Sequence, residues 1–343
     1  QVTAKKTAGI VVGLLDADGS RRILTAGKAD NGTLGLDGHT VFEIGSITKT
    51  FTTALLAEMV ARGEVQLTDR VQQYLPASIK IPTRNGREIT LLDLATVSSG
   101  LPGMPNNFKP ANIQNPYADY TVEQMYDFLS GYTLPRDIGS EYEYSNLGMG
   151  LLGHALALRA GMSYFDLLHQ RILQPLDMAD TEIILSPRLQ SRLALGHNQA
   201  GNIVSNWDIP TLAGAGALRS TVNDMFNYLA ANLDSASRPL GPVLATTHGT
   251  RTTTKNQSLT VGMAWHILKT PGAKVVWHNG GTGGYRSFMG FDLAKGIGVV
   301  VLTNGNISID DIGFHLIDPT FPLSKPPVAR VAKSIDPAVL PPY

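Results

Sequence analysis

Glu43-Ile-Gly-Ser46-Ile-Thr-Lys49 places a hydroxyl and an amine three residues apart at the opening of a helical stretch. On a helix that spacing brings both side chains to one face, and the N-terminal turn adds unpaired N–H groups and positive potential. A desolvated lysine can lose its proton near neutrality and activate a neighbouring hydroxyl. The segment therefore offers a nucleophile, a base and an anion-stabilising helix end. It is the only Ser-x-x-Lys in the chain. By itself the motif is ordinary, since a serine capping a helix beside a solvated lysine reads the same way.

Two further segments could supply partners. Tyr144-Ser145-Asn146 precedes an apolar helical pattern; a tyrosine hydroxyl beside an amine can pass a proton, and an asparagine amide can donate to a substrate carbonyl. The plain alternatives are a packed Tyr144 and an Asn146 that caps the helix. His278-Asn279-Gly280-Gly281-Thr282 ends a strand pattern, where glycines let a substrate approach the backbone and an N–H could complete an oxyanion hole with that of Ser46. A glycine-rich turn with an incidental histidine is the alternative there.

The elements that must position these groups can be read coarsely. Gly9–Leu15 and Arg22–Gly27 flank Asp18-Gly19 and predict a hairpin. Ala273–His278, Tyr285–Asp292 and Gly298–Asn304 predict strands near the other end. Between them, Ile47–Ala61, Leu147–Leu158, Tyr164–Leu173 and Val222–Leu233 have apolar residues at helical spacing. The expected architecture is α+β: an antiparallel sheet built from both chain ends with flanking helices, plus an inserted helical lobe. Residues 318–343 hold seven of the 20 prolines and predict an irregular tail or linker.

Composition removes other classes. The chain has 343 residues, enough for a large core without staples. Its 28 basic and 28 acidic side chains, with no long basic run, argue against nucleic acid as a partner. Without cysteine there is no thiol nucleophile, thiolate metal site or disulfide. The eight histidines are scattered, with no His-Glu-x-x-His, so no metal or other cofactor is expected. No serine sits in a Gly-x-Ser-x-Gly elbow, and no Walker loop or complete dinucleotide fingerprint is present. No apolar run is long enough for a transmembrane helix.

Taken in order, the three segments resemble the penicillin-recognising serine hydrolases, the family of class C β-lactamases, DD-peptidases and related esterases. The resemblance covers roughly residues 8–316 and includes weaker similarities at Leu94–Pro102, Gln174–Met178 and Ala213–Asp224. It implies the β-lactamase/transpeptidase-like fold, with an α/β lobe of about residues 8–60 and 215–316 and a helical lobe of about 61–214; 317–343 remain a tail.

It also implies roles. Ser46 is expected as the acylated nucleophile, Lys49 as its proton partner and Tyr144 as general acid/base. Asn146, His278, Asn279, Gly280 and Gly281 are expected to bind substrate, with the N–H groups of Ser46 and Gly281 as oxyanion hole. Many relatives have lysine where this chain has His278, so a substrate carboxylate is expected to be held less firmly, and activity to follow the titration of His278. The chain lacks the Ser-Asp-Asn of class A β-lactamases.

The expected function is opening of β-lactam amides. Cleavage of D-alanyl or D-aminoacyl peptides and hydrolysis of short esters are the alternatives, and a penicillin-binding sensor that stays acylated is the non-enzymatic one. The implied partner is a small β-lactam, peptide or ester, and a monomer is expected in the periplasm or outside the cell. An N-terminal segment is expected to have been removed before Gln1. Ile335–Tyr343 resembles the lead-in to a further C-terminal domain, so truncation is expected there.

Overall fold

The structure is a computed structural model that describes residues 7–29, 35–256 and 258–324; most of the proline-rich tail lies outside these. The strands are β1 (Gly9–Leu15), β2 (Arg21–Gly27), β3 (Phe42–Glu43), β4 (Thr83–Arg84), β5 (Arg87–Glu88), β6 (Arg219–Ser220), β7 (Thr252–Thr253), β8 (Leu259–Val261), β9 (His266–Lys269), β10 (Lys274–Gly281), β11 (Arg286–Asp292) and β12 (Ile297–Thr303). The α-helices are α1 (Thr48–Ala61), α2 (Leu91–Ala95), α3 (Val122–Gly131), α4 (Asn146–Ala160), α5 (Tyr164–Leu168), α6 (Pro187–Gln190), α7 (Ala213–Gly216), α8 (Val222–Leu233), α9 (Gly241–Ala245) and α10 (Asp310–Ile317).

Eight strands form one antiparallel sheet in the order β2-β1-β12-β11-β10-β9-β8-β7. Strands from the two halves of the chain pair one strand in from the β2 edge, with Ile10 opposite Thr303 and Leu15 opposite Gly298. Helices cover both faces, which explains why β12 reads as an unbroken apolar run instead of an alternating one. Val11, Val300 and Leu302 face the main core with α1 and α8, while Ile10, Val12, Val299 and Val301 pack with Ile309 and Ile317 around α10. The edge strand β2 is exposed along its whole length and carries Arg21 and Arg22, charges that discourage pairing with another chain.

The helix that opens at the Ser-x-x-Lys motif is not the one-sided helix its spacing suggests. From Thr48 to Met59 every residue of α1 is buried, because α4, α5, α7 and α9 surround it. Its hydroxyls are satisfied by backbone oxygens: Thr50 Oγ1 donates to Ile47 O at 2.8 Å, Thr52 Oγ1 to Gly214 O at 2.7 Å and Thr53 Oγ1 to Met263 O at 2.9 Å. Threonine thus lets a polar-looking helix occupy the centre of the molecule.

Helix α4 is fixed in register by Ser145, whose hydroxyl accepts from Gly148 N–H at 2.8 Å. That cap leaves Tyr144 just outside the helix and Asn146 as its first residue, so the cap is Ser145 and not Asn146. The segment read as one helix over 164–173 changes pitch. After α5 it continues as a π-helical turn over His169–Leu173 and tightens to a 3₁₀ turn at Gln174–Leu176, where Pro175 has no N–H for the α-ladder.

Candidate active site

Ser46 lies in the 3₁₀ turn Gly45–Ile47 that leads into α1. It is not a cap, since Ile47 holds the N-cap position of α1 without a side-chain bond. The turn is possible because Gly45 adopts φ +50°, where a side chain would also crowd Gly281 N at 2.7 Å. Strand β10 lies directly against this turn. A Cβ on Gly280 would come within 2.0 Å of Ile44 O, and Ser287 Oγ, from β11, donates to that same oxygen at 2.8 Å. Gly280 therefore brings the strand onto the turn and does not itself line the cleft.

The direction of the Gly281 N–H follows from the ladder. Thr282 N–H donates to Tyr285 O at 3.1 Å, so Thr282 and Tyr285 form a hydrogen-bonded pair and the preceding pair, Gly281 opposite Arg286, is a non-bonded one. The Gly281 N–H points away from β11, and the pairing of β9 with β10 ends at Trp277. It faces the Gly45–Ser46 turn. Ser46, second in its helical turn, has an N–H in the region where helices leave donors without internal partners.

Lys49 Nζ is 3.0 Å from Ser46 Oγ and donates to Ala215 O at 2.7 Å. Only 1% of the lysine is exposed, and no carboxylate pairs with it among the described residues. Burial alone pushes the amine well below the ordinary lysine range, which favours the uncharged form. The Tyr144 ring lies 4.7 Å from Nζ, centroid to nitrogen. Burial raises the Tyr144 hydroxyl above its usual value, an effect that an interaction with the Ser46 hydroxyl partly opposes. The pair is thus biased toward an amine that can take a proton and a phenol that keeps one.

A cleft of about 230 Å³ opens over Ser46. Asn146, Gly281, Ala215 and Gly216 line it, and Tyr117 and Trp207, in contact with each other, form an aromatic wall. Asn146 Nδ2 donates to Tyr117 Oη at 3.3 Å. Behind the wall, Glu43 and Arg219 form a buried ion pair at 3.3 Å. Glu43 Oε1 also accepts from Trp207 N–H and Asn206 Nδ2, each at 2.9 Å, which ties the loop carrying Trp207 to the strand leading to the nucleophile.

Besides that for Gly280, two further expectations from the sequence need correction. His278 is 1% exposed, and its Nδ1 lies 2.6 Å from Asn279 O; a carbonyl only accepts, so Nδ1 carries the proton and Nε2 is left as an acceptor. Burial first, then His266 and Lys49, push the ring well below the ordinary imidazole value. A buried neutral ring does not attract a substrate carboxylate as a cation would, nor does it titrate near neutrality. The Asn279 side chain is turned to the far face of the sheet, where Nδ2 donates to Asp310 Oδ2 at 2.7 Å. It does not line the cleft.

The sequence alone does not single out Tyr117, Trp207 or the Ala215 carbonyl, and it shows no role for Glu43. The sequence signal for that carbonyl is the run of small residues Ala213-Gly-Ala-Gly216, which lets the backbone come within reach of Lys49.

A family model described as Beta-lactamase matches residues 2–317. The chain is 31% identical over 278 residues to the D-alanyl-D-alanine-carboxypeptidase/endopeptidase AmpH of Escherichia coli (strain K12), covering 76% of this chain and 70% of that one. It is 28% identical over 301 residues to a Beta-lactamase of Pseudomonas fluorescens, covering 78% and 80%. Among solved structures, a class C beta lactamase from Rhodobacter sphaeroides superposes with a TM-score of 0.77 at 25% identity, covering 90% and 93%.

Proposed function

The chain belongs to the Beta-lactamase family and has its fold, and from that premise we propose that it is a serine hydrolase that opens β-lactam amides through an acyl-enzyme on Ser46. The observation that carries this reading is the contact of Lys49 with Ser46 Oγ at 3.0 Å at the floor of a cleft, the lysine being almost wholly buried, which favours its uncharged form.

In the proposed sequence, the Ser46 hydroxyl gives its proton to the Lys49 lone pair as Oγ attacks the lactam carbonyl. The N–H groups of Ser46 and Gly281 receive the oxyanion. Collapse breaks the C–N bond, and the proton passes to the leaving nitrogen through the Tyr144 hydroxyl, which is replenished from Lys49. The same pair then takes a proton from water as the water attacks the ester, and gives it to Ser46 Oγ as the ester C–O bond breaks. Asn146, beside the nucleophile, holds the substrate amide.

Cleavage of D-alanyl peptides is the second reading, favoured by the 31% identity to a D-alanyl-D-alanine carboxypeptidase. Rates on a chromogenic cephalosporin, a D-Ala-D-Ala peptide and a p-nitrophenyl ester decide between them. Steady turnover of the cephalosporin supports the proposal. Turnover of the peptide with stable acylation by the cephalosporin supports the second reading, and ester hydrolysis without reaction with either of the others contradicts both.

We further propose residues 8–316 as one catalytic unit of two lobes, acting as a monomer in the periplasm or outside the cell. No helix among the described residues is long and apolar enough to cross a membrane.

A pH profile follows from the charge states. Lys49 acts as base only when deprotonated, so kcat/KM rises with pH through its depressed pKa and then levels off. With a lysine at its ordinary value the rise would continue to about pH 10. The expected profile on a β-lactam between pH 5 and 10 therefore reaches its plateau well before pH 10, and His278→Gln leaves its shape unchanged. A tenfold rise per pH unit up to pH 10 contradicts the assigned charge state.

A further inference from the structure

Asn115 and Asp208, 93 residues apart in the chain, join the two loops that carry the aromatic wall of the cleft. Asn115 Nδ2 donates to Asp208 Oδ2 at 2.9 Å, and Asp208 N–H donates to Asn115 Oδ1 at 2.8 Å. A short primary amide can donate and accept in one such reciprocal pair; a carboxylate in its place could not donate. Tyr117 follows Asn115 by two residues, and Trp207 immediately precedes Asp208. Their ring centroids are 5.4 Å apart at 48°, so the two loops meet as a continuous wall.

Each side of the wall is also held from behind. Tyr117 packs on Phe108 at 5.0 Å, and Trp207 O accepts from Arg219 Nη2 at 3.0 Å. Arg219 Nη2 also lies 3.3 Å from Asp208 Oδ1. Deeper in the molecule Thr211 Oγ1 donates to Tyr120 O, again between the two loops. The Asn115–Asp208 pair is the tie on the solvent side, where Asp208 is 64% exposed. Without it the outer ends of the loops are free to part: Trp207 stays bound at its N–H and carbonyl by Glu43 and Arg219, and Tyr117, held through its side chain by Phe108 and Asn146, can move away from it.

We infer that the Asn115–Asp208 pair is a clasp that holds Tyr117 against Trp207 as a closed wall and thereby restricts the acyl group of the substrate to flat or unbranched ones. The inference rests on the acyl-enzyme reading given above. Asn115 is a positioning residue in this account. It sets the width of the site through Tyr117, and its removal changes which substrates enter rather than the chemistry at Ser46.

The test compares two penicillins, one with a phenylacetyl side chain and one with a bulky ortho-disubstituted aromatic acyl group. In Asn115→Ala, the ratio of kcat/KM for the bulky to the flat penicillin is expected to rise about tenfold, within the range that altered room in a pocket produces. The rise comes through a lower KM for the bulky substrate, while kcat for the flat one stays within about threefold. Asp208→Asn keeps both the acceptor oxygen and the backbone donor and is expected to keep the wild-type ratio. An unchanged ratio in Asn115→Ala, or equal losses on both substrates, overturns the clasp. Should that variant not fold, Trp207→Ala opens the same wall and must raise the ratio; no rise there overturns it equally. A wild-type enzyme that reacts with neither penicillin brings down the acyl-enzyme reading itself, whereas reaction with an immovable ratio removes only the clasp.

Discussion

Ser46→Ala removes turnover of a β-lactam, with kcat/KM falling at least roughly 10⁴-fold, because no other group is placed to form the acyl bond. The variant keeps its fold. Ser46 is not a helix cap, and its hydroxyl contacts Lys49 at 3.0 Å, so the structural loss is about that of one hydrogen bond, roughly 1 kcal/mol. The measurement is steady-state hydrolysis beside a thermal melt. Retention of a tenth or more of the activity contradicts the assignment, and a collapsed melting temperature would show that the hydroxyl has a structural role this geometry does not give it.

Lys49→Met separates catalysis from stability more sharply. Methionine fills a similar volume in a wholly buried position, and the only bond abandoned to the backbone is the one to Ala215 O. An amine held away from water and without a counter-charge adds little to stability, so the melting temperature is expected to shift by only a few degrees in either direction. The rate is expected to drop by about 10² to 10⁴, the usual contribution of a positioned proton-transfer group. The acid limb of the pH profile disappears with it, since the group that titrates has gone. A variant that keeps its activity, or loses it while keeping that limb, contradicts the role of Lys49. A melting temperature raised by the change would fit a lysine retained for chemistry at a cost in stability.

The parts of this molecule legible in sequence are those fixed by local spacing. The hairpin around Asp18-Gly19 and the strands of the C-terminal half are read from turn residues and apolar runs, and they pair as one antiparallel sheet. Ser46 and Lys49 follow from helical geometry, three residues apart on one face. What sequence does not carry is the identity of a neighbour. Periodicity marks Phe51, Ala54, Leu55 and Met59 as a core face of α1, but the burial of Thr50, Thr52 and Thr53 depends on carbonyls at Ile47, Gly214 and Met263.

The same limit applies at the cleft. Ala215, Trp207 and Glu43 enter through contacts between distant segments. The charge state of His278 depends on how deeply it is buried and on the proximity of His266 and Lys49, neither of which is written in His-Asn-Gly-Gly. Asn279 shows how fine the distinction is: one step along β10 turns a side chain to the opposite face, toward Asp310.

The central claim is a covalent bond between substrate and Ser46, and it is tested most directly by intact-protein mass spectrometry after rapid quenching with a penicillin, followed by peptide mapping. Opening a β-lactam ring expels no fragment, so the wild-type chain is expected to gain the full mass of the antibiotic, on the peptide containing Ser46 and for a limited time before water releases it. The Ser46→Ala variant is expected to gain none. An adduct on another residue, or the same adduct on that variant, contradicts the account.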